Sequence, residues 1–198
     1  MIVHCDLKPQ NILIFEGDGG GLVAKIADFG SSMTGQEEED MYGLPHSGIW
    51  SAPEYHHRKI SIAAAQTMDA YSFSLLCLWL LLDESHGAID GDSSTTVLRQ
   101  MKESCDFIAR ARDLVTSLGL ENDASHRLAY LFETTLADDP LKRVIDVQAM
   151  PKLLNRDEYG QNCCFFHSFT YMARDHHSMI YGGSPVLQVT NHVNFKVS

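Results

Sequence analysis

The stretch Val3–Asn11, with the sequence VHCDLKPQN, places an imidazole, a carboxylate, an ammonium group and a carboxamide close together. Pro9 argues against a continuous strand here, because proline cannot donate a backbone hydrogen bond within a sheet. Apolar residues lie on both sides, so the pattern predicts a strand, a short polar loop and a second strand. A loop held in this way presents its polar side chains for chemistry on a rigid support.

Three further short motifs follow in order along the chain. DFG occupies Asp28–Gly30 directly after a predicted strand, SAPE ends at Glu54, and DPLKR contains Arg143. Any one of them could occur by chance. Together with HCDLKPQN, in this order and in these predicted strand and helix contexts, they resemble the C-terminal half of a eukaryotic-type protein kinase of the Ser/Thr-like kind, over roughly residues 2–154.

The resemblance implies phosphoryl transfer from ATP, in which the protein mainly positions groups and compensates charge. Asp6 would accept the proton of the attacking hydroxyl or orient that hydroxyl, and Lys8 would lie near the transferred group. Asn11 and Asp28 would supply oxygen ligands for Mg²⁺. An acid from each of two neighbouring turns would thus converge with a carboxamide around the cations. Lys8, and Ser47 where Ser/Thr-directed members usually carry Thr, favour protein Ser/Thr hydroxyls over Tyr.

The resemblance gives other residues structural roles. Glu54 and Arg143 would form a buried ion pair that anchors the end of the long loop, and Asp69 would hold the backbone of the catalytic loop. Asp69 could equally be an ordinary acid at the start of a helix, because DAYSFS departs from the usual Asp-x-Trp-Ser-x-Gly. The remaining motif residues to which we assign structural roles are His4, Phe29, Gly30 and Ser47.

The elements that must position these residues follow from the apolar pattern. Residues 12–15 and 22–27 predict two short strands joined by a glycine-rich turn. The stretch 28–54 has no periodicity and predicts a long loop, and loops of that length inside a domain are usually functional or disordered.

The clearest predicted helix is Asp69–Leu82, which is almost wholly apolar and must therefore be buried on all sides. Its run LLCLWLLL is too short to span a bilayer, so we interpret it as part of a core helix. A second helix is predicted to begin near Ser94, after a loop, with Val97, Leu98 and Met101 on one face.

A third helix is predicted over Ala124–Leu136, with Asn122 or Asp123 as its N-cap. A last helix is predicted from about residue 146 to residue 154. The apolar stripe of the third helix, with spacings of three and four, is Leu128, Leu131, Phe132 and Leu136.

We therefore predict a mainly α protein with a small β-hairpin: a protein-kinase-like C-terminal lobe without the N-terminal lobe. Residues 1–155 would form this partial kinase domain, and residues 156–198 an irregular tail. The spacing of the cysteines and histidines in the tail does not match the usual zinc ligand pairs; these residues are Cys163, Cys164, His167, His176 and His177.

Net charge, cysteine content and the N-terminal sequence bear on the expected partners and location. The formal net charge is −11 at pH 7, which disfavours nucleic acid because nearby phosphates would be repelled. The five cysteines are odd in number and scattered, which favours a reducing, cytoplasmic location over a disulfide framework. The N-terminus lacks the basic and apolar regions of a signal peptide, and we expect no membrane partner.

In the family, a glycine-rich loop, a strand lysine for the α- and β-phosphates and its partner glutamate precede the catalytic loop, whereas this sequence begins almost at that loop. We therefore expect very weak turnover from this chain alone. The family also packs a preceding helix against the region of Leu75–Leu82. We expect apolar surface to be exposed there and to promote association.

Three functions remain open. The first is a Ser/Thr protein kinase present as a fragment. The second is a non-catalytic kinase-lobe remnant that acts as a binding or regulatory module. The third is an ATP-dependent phosphotransferase for a small molecule, against which Lys8 and the SAPE segment favour protein acceptors.

Overall fold

Four short strands form two antiparallel pairs. Strand β1 (Ile2–Val3) pairs with β4 (Met33–Thr34), and β2 (Ile12–Glu16) pairs with β3 (Leu22–Ile26). The predicted hairpin is confirmed, with each strand bound shifted by at most one residue. The computed structural model of the protein describes residues 2–16, 22–34, 47–56, 62–86, 91–120 and 122–143.

This strand pairing places two loops side by side. Residues 4–11 run from β1 to β2, and residues 27–32 run from β3 to β4. Because β2 pairs with β3 and β1 pairs with β4, both loops connect the same two sheets, in opposite chain directions. The polar motif and the DFG motif are therefore brought together by backbone hydrogen bonds at both ends.

Part of the predicted long loop has short regular elements. Besides β4, the described residues contain 3₁₀ turns at Phe29–Ser31, Gly48–Trp50 and Pro53–His56. Further 3₁₀ turns lie at Pro9–Asn11 and Pro140–Lys142. The described ends of the predicted loop 28–54 thus consist of short turns and one two-residue strand, and residues 35–46 lie outside the described part of the chain.

The mainly helical character is confirmed by four α-helices. They are α1 (Ile62–His86), α2 (Gly91–Lys102), α3 (Phe107–Ser117) and α4 (Asn122–Thr135).

Helix α1 forms the centre of the core. Its side chains at Tyr71, Leu75 and Leu78 are fully buried, as expected for a helix that is apolar all round. The helix begins seven residues before the predicted start, because Ala64 and Ala65 favour helix although the apolar run starts later. The stretch Ala64–Leu82 is long and apolar enough to cross a membrane, but most of it is buried inside the fold. It is therefore the core helix that the sequence predicts.

The expectation of exposed apolar surface at Leu75–Leu82 is wrong. Every residue of this run is buried or, at Leu80, partly buried against the core. The reason is that α2, α3 and α4 all pack on α1 and cover it. Among the described residues, the large exposed apolar side chains lie elsewhere: Ile2, Phe15 and Ile26 on the small sheets, Tyr130 on α4, and Leu141 in the turn Pro140–Lys142.

Helix α2 begins three residues before Ser94, so the predicted loop is shorter than expected. Leu98 and Met101 are buried and Val97 packs against the core, which confirms the predicted face. Helix α3 is not predicted, because its two arginines and its aspartate interrupt the apolar pattern. The spacing that could have shown it is i, i+4, i+8, and the buried residues that follow it are Phe107, Ala111 and Val115.

Helix α4 confirms the predicted stripe. The side chains at the four stripe positions, Leu128, Leu131, Phe132 and Leu136, are all buried. The predicted N-cap is wrong, since Asn122 and Asp123 lie in the first turn of the helix. The predicted helix at 146–154 and the tail lie outside the described residues.

Candidate active site

The two loops between the sheets are joined by direct hydrogen bonds. The backbone N–H of Ala27 donates to the carbonyl oxygen of Asn11 at 2.8 Å. The His4 ring nitrogen Nε2 lies 3.0 Å from the carbonyl oxygen of Ala27, and the His4 ring packs edge-on against Phe29 at 5.0 Å between centroids. Asp28 therefore leaves its strand directly beside the polar loop.

Asp69 fixes the start of the polar loop. Its carboxylate accepts the backbone N–H of His4 at 2.5 Å and that of Cys5 at 2.8 Å. The alternative that Asp69 is an acid at a helix start is wrong, because α1 begins at Ile62. Burial raises the pKa of Asp69 above its ordinary value, although the two N–H donors act in the opposite direction.

Backbone conformations of positive φ occur at both loops. Among the described residues, the non-glycine residues with positive φ are Cys5, at 66°, and Asp28, at 62°. Such conformations cost free energy and are concentrated at functional sites. Here they lie at the two proposed acids: Cys5 directly precedes Asp6, and Asp28 is itself the first residue of the DFG motif.

The carboxylate of Asp6 is surrounded by donors. Lys8 Nζ lies 3.0 and 2.7 Å from its two oxygens, Asn11 Nδ2 lies 3.0 Å from Oδ2, and the Ser47 hydroxyl donates to Oδ1. Burial acts to raise the pKa of Asp6, but the hydrogen bonds from Lys8, Ser47 and Asn11 outweigh it and lower the pKa below its ordinary value. Asp6 is therefore a carboxylate at neutral pH.

Asn11 has its amide oriented by Asp6. Its Nδ2 also donates to the backbone oxygen of Asp6 at 2.8 Å. Because the amide is planar, its oxygen points away from these acceptors. The amide oxygen accepts no hydrogen bond from the part of the chain that the structure describes.

Asp28 is exposed, and its Oδ1 accepts the backbone N–H of Gly30 at 3.3 Å. A Cβ at position 30 would lie 3.2 Å from the same oxygen, a contact that would displace the carboxylate. Glycine at position 30 thus leaves room for the Asp28 side chain.

The donors present suit Mg²⁺ better than a softer metal. A carboxylate and an amide oxygen are hard ligands, and Mg²⁺ is commonly bound by one or two protein oxygens together with phosphate oxygens and water. Among the described residues no group of three or more His, Cys, Asp or Glu side chains could hold a metal ion by itself. Asn11 and Asp28 each offer one such oxygen ligand, on two adjacent loops.

The segment that carries Ser47 is anchored at its end by an ion pair. Arg143 donates from Nη1 and Nη2 to the two oxygens of Glu54, at 2.5 and 2.8 Å. Both side chains are buried, and Arg143 also packs over the ring of Tyr71. The expected ion pair is thus present in the fold.

The sequence does not predict the contacts of Lys102. It lies at the end of α2, and its Nζ donates to the carbonyl oxygens of Ile49 and Ser51. No local motif marks it, since only the folded chain brings α2 next to the segment after Ser47.

A family model of the protein kinase domain matches residues 1–154 of the chain. The chain belongs to the protein kinase family. The matched residues hold all four motifs described above, so the two adjacent loops, the Ser47 segment and the Glu54–Arg143 pair are parts of a kinase domain.

Curated relatives match part of this chain, and the match spans only a small share of each relative's own length. A G-type lectin S-receptor-like serine/threonine-protein kinase, LECRK2, from Oryza sativa subsp. japonica is 30% identical over 119 residues, 59% of this chain and 14% of the relative. The rice relative LECRK1 is 37% identical over 83 residues, 40% of this chain and 9% of the relative. The dual specificity tyrosine-phosphorylation-regulated kinase mbk-2 of Caenorhabditis elegans is 28% identical over 126 residues, 60% of this chain and 14% of the relative.

Proposed function

We propose that this chain transfers the γ-phosphoryl group of ATP to Ser or Thr hydroxyls of a protein, in the presence of Mg²⁺. The observation that carries the proposal is the arrangement around Asp6. Three side-chain donors converge on its carboxylate. The exposed Asp28 lies in the neighbouring loop, directly after Ala27, whose backbone N–H donates to the carbonyl oxygen of Asn11. Positioning and charge compensation are what phosphoryl transfer requires of a protein.

Asp6 would receive the hydrogen bond of the attacking hydroxyl. Its lowered pKa keeps it ionised at neutral pH, so it can accept that hydrogen bond. The same low pKa makes it a weak base, which fits a reaction whose transition state needs little proton abstraction. The lowered pKa of Asp6 therefore favours the orienting role over proton abstraction.

Lys8 would compensate charge on the transferred group. Its Nζ is held 2.7 Å from Asp6 Oδ2, so the ammonium stays beside the attacking hydroxyl. Mg²⁺, held by Asn11 and Asp28, would neutralise charge on the phosphate oxygens. The Lys8 ammonium and Mg²⁺ would both offset negative charge on the phosphate oxygens.

Protein Ser/Thr acceptors are supported by two features. The hydroxyl of Ser47 already donates to Asp6, so the site accommodates an aliphatic hydroxyl at this carboxylate. The segment that follows Ser47 is fixed by the buried Glu54–Arg143 pair, and a rigid segment beside the acid provides a surface for a peptide.

The transfer experiment uses the complete 198-residue chain with ATP, Mg²⁺ and peptide libraries that differ only in Ser, Thr or Tyr at the acceptor position. We expect weak transfer to Ser and Thr, and we expect Asp6→Asn to lower its rate by about 10²-fold or more, as for loss of substrate positioning. The matched control Asp113→Asn changes an exposed acid on α3 and should leave the rate unchanged. Transfer that survives Asp6→Asn, or that prefers Tyr or a small molecule, would contradict the proposal.

The alternative is a non-catalytic kinase lobe that acts as a binding or regulatory module. It is favoured by the exposed apolar residues Ile2, Phe15 and Ile26 on the small sheets, which could meet a partner. It predicts a folded chain that binds a protein partner and shows no ATP-dependent transfer above that of Asp6→Asn.

We also propose an intracellular location. Its basis is the set of free cysteines among the described residues, Cys5, Cys77 and Cys105, since thiols persist in reducing compartments. Fractionation of cells that express the tagged chain tests it, and recovery from the secreted fraction would contradict it.

A further inference from the structure

Three successive carbonyl groups after Ser47 are each held by a side chain from a helix. Lys102 of α2 donates to the oxygens of Ile49 and Ser51, at 2.7 and 2.5 Å. Between them, the Ser72 hydroxyl of α1 donates to the oxygen of Trp50 at 2.8 Å. Carbonyls at the end of a short turn have few backbone donors, so these side chains define the path of the segment.

A continuous set of hydrogen bonds links Lys102 to Asp6. The carbonyl of Ser51 binds Lys102, and the hydroxyl of Ser51 accepts the backbone N–H of Ser47 at 2.9 Å. The side chain of Ser47 then donates to Asp6. A shift of Ser51 would therefore move Ser47 relative to the proposed catalytic acid.

The charge of Lys102 is sensitive to its surroundings. Its Nζ lies 5.3 Å from the centre of the Tyr71 ring. Burial lowers the pKa of Lys102 to about 8, Glu54 and Asp138 act to raise it, and Arg143 acts to lower it. The ammonium is thus present at neutral pH and is lost in mildly alkaline solution.

We propose that protonated Lys102 is a positioning residue that holds residues 47–52 in the conformation in which Ser47 contacts Asp6, and that it thereby supports binding of the protein substrate beside this segment. The consequence for substrate rests on the proposed kinase function. The positioning itself does not, and it can be measured without turnover.

Trp50 reports directly on the segment. The chain has two tryptophans, Trp50 and its edge-on neighbour Trp79 at 6.0 Å. In a Trp79→Phe background the fluorescence comes from Trp50 alone, between the two carbonyls that Lys102 binds. We expect its emission to change with pH, with a midpoint near the lowered pKa of Lys102, which is about 8.

Three variants in that background decide the point. Lys102→Met should abolish the titration, and Lys102→Arg should also remove it while preserving the neutral-pH spectrum, because arginine stays charged. Ser72→Ala is the matched control, since it removes a neutral anchor from the same segment and should keep the midpoint. Circular dichroism identifies any variant that fails to fold, and the Arg variant then carries the comparison with Ser72→Ala.

If the emission of Trp50 changes with pH at the same midpoint in both folded Lys102 variants, the inference is overturned. Peptide kinetics test its link to function: Lys102→Met should raise KM by about tenfold or more, as for loss of charge-assisted hydrogen bonds, with a smaller effect on kcat. Absence of transfer by every variant would count against the proposed function alone. Transfer with unchanged KM in Lys102→Met would overturn the role of Lys102 in substrate binding.

Discussion

Arg143 binds both carboxylate oxygens of Glu54 across 89 positions of sequence, and both side chains are buried. The pair ties the segment that follows Ser47 to the chain beyond α4. It therefore connects the proposed acceptor side of the site with the helical core.

Removal of one partner should be strongly destabilising. We expect Arg143→Leu to lower the free energy of unfolding by about 3–5 kcal/mol, because Glu54 would be left buried and unpaired. The control Arg112→Leu breaks an ion pair whose side chains are about half exposed, and it should cost about 1 kcal/mol or less. Urea unfolding followed by circular dichroism measures both, and equal effects would contradict this account.

Replacement of both partners separates burial from pairing. The double variant Glu54→Met/Arg143→Leu should recover much of the stability lost in Arg143→Leu, since a buried pair can be exchanged for apolar residues at little cost. A double variant less stable than Arg143→Leu would show that the pair stabilises the fold beyond satisfying its own charges.

Asp69 should matter through the two N–H groups that it accepts. Asp69→Ala leaves the N–H groups of His4 and Cys5 without this acceptor, and we expect a loss of about 1–3 kcal/mol for the unsatisfied donors. Hydrogen exchange at these two amides should be faster in Asp69→Ala than in the unchanged chain, relative to exchange in α3. Unchanged exchange at both amides would mean that Asp69 does not hold the loop.

Asp6 and Asp69 should give stability opposite dependences on pH. The pKa of Asp6 is lowered by folding, so its contribution is present above its ordinary pKa and is lost as the pH falls through the lowered one. The pKa of Asp69 is raised by folding, so its contribution is greatest below its ordinary pKa and declines as the pH rises through the raised one. Unfolding of Asp6→Asn and Asp69→Asn across acidic pH, compared with the unchanged chain, measures both slopes. Slopes of the same sign would contradict the pKa directions.

Ser47 should contribute through its hydroxyl. We expect Ser47→Ala to lower transfer to a peptide, because Asp6 loses one donor and the segment loses its contact with the acid. Ser47→Thr keeps the hydroxyl and should retain most of the activity. The measurement is the ratio of the two rates at saturating ATP. Equal rates would mean that the Ser47 hydroxyl does not contribute to transfer.

Local patterns in the sequence were enough to predict the hairpin and the buried helix, and the four motifs were enough to predict the family. The stripe of α4 and the apolar run of α1 are periodic signals that burial imposes directly. The proximity of the two loops could be expected as well, since residues 4–11 lead into β2 and residues 27–32 follow β3 at the same end of the hairpin.

The remaining features either have weak local signals or depend on long-range contacts. Helix α3 has an apolar pattern that its arginines obscure, and the start of α1 depends on alanines that carry no amphipathic signal. Lys102 could not be predicted, because its role comes from the packing of α2 against residues 49–51. The burial of Leu75–Leu82 likewise results from three helices that pack on one.

We propose that Asn11 and Asp28 hold Mg²⁺ and nucleotide beside Asp6. Calorimetric titration of the 198-residue chain with ATP, with and without Mg²⁺, measures this binding. We predict weak binding that requires Mg²⁺, that is lost in Asp28→Asn, and that persists in Asp6→Asn and in the surface control Asp113→Asn. Binding that is independent of Mg²⁺, or that is unaffected by Asp28→Asn, would contradict the claim.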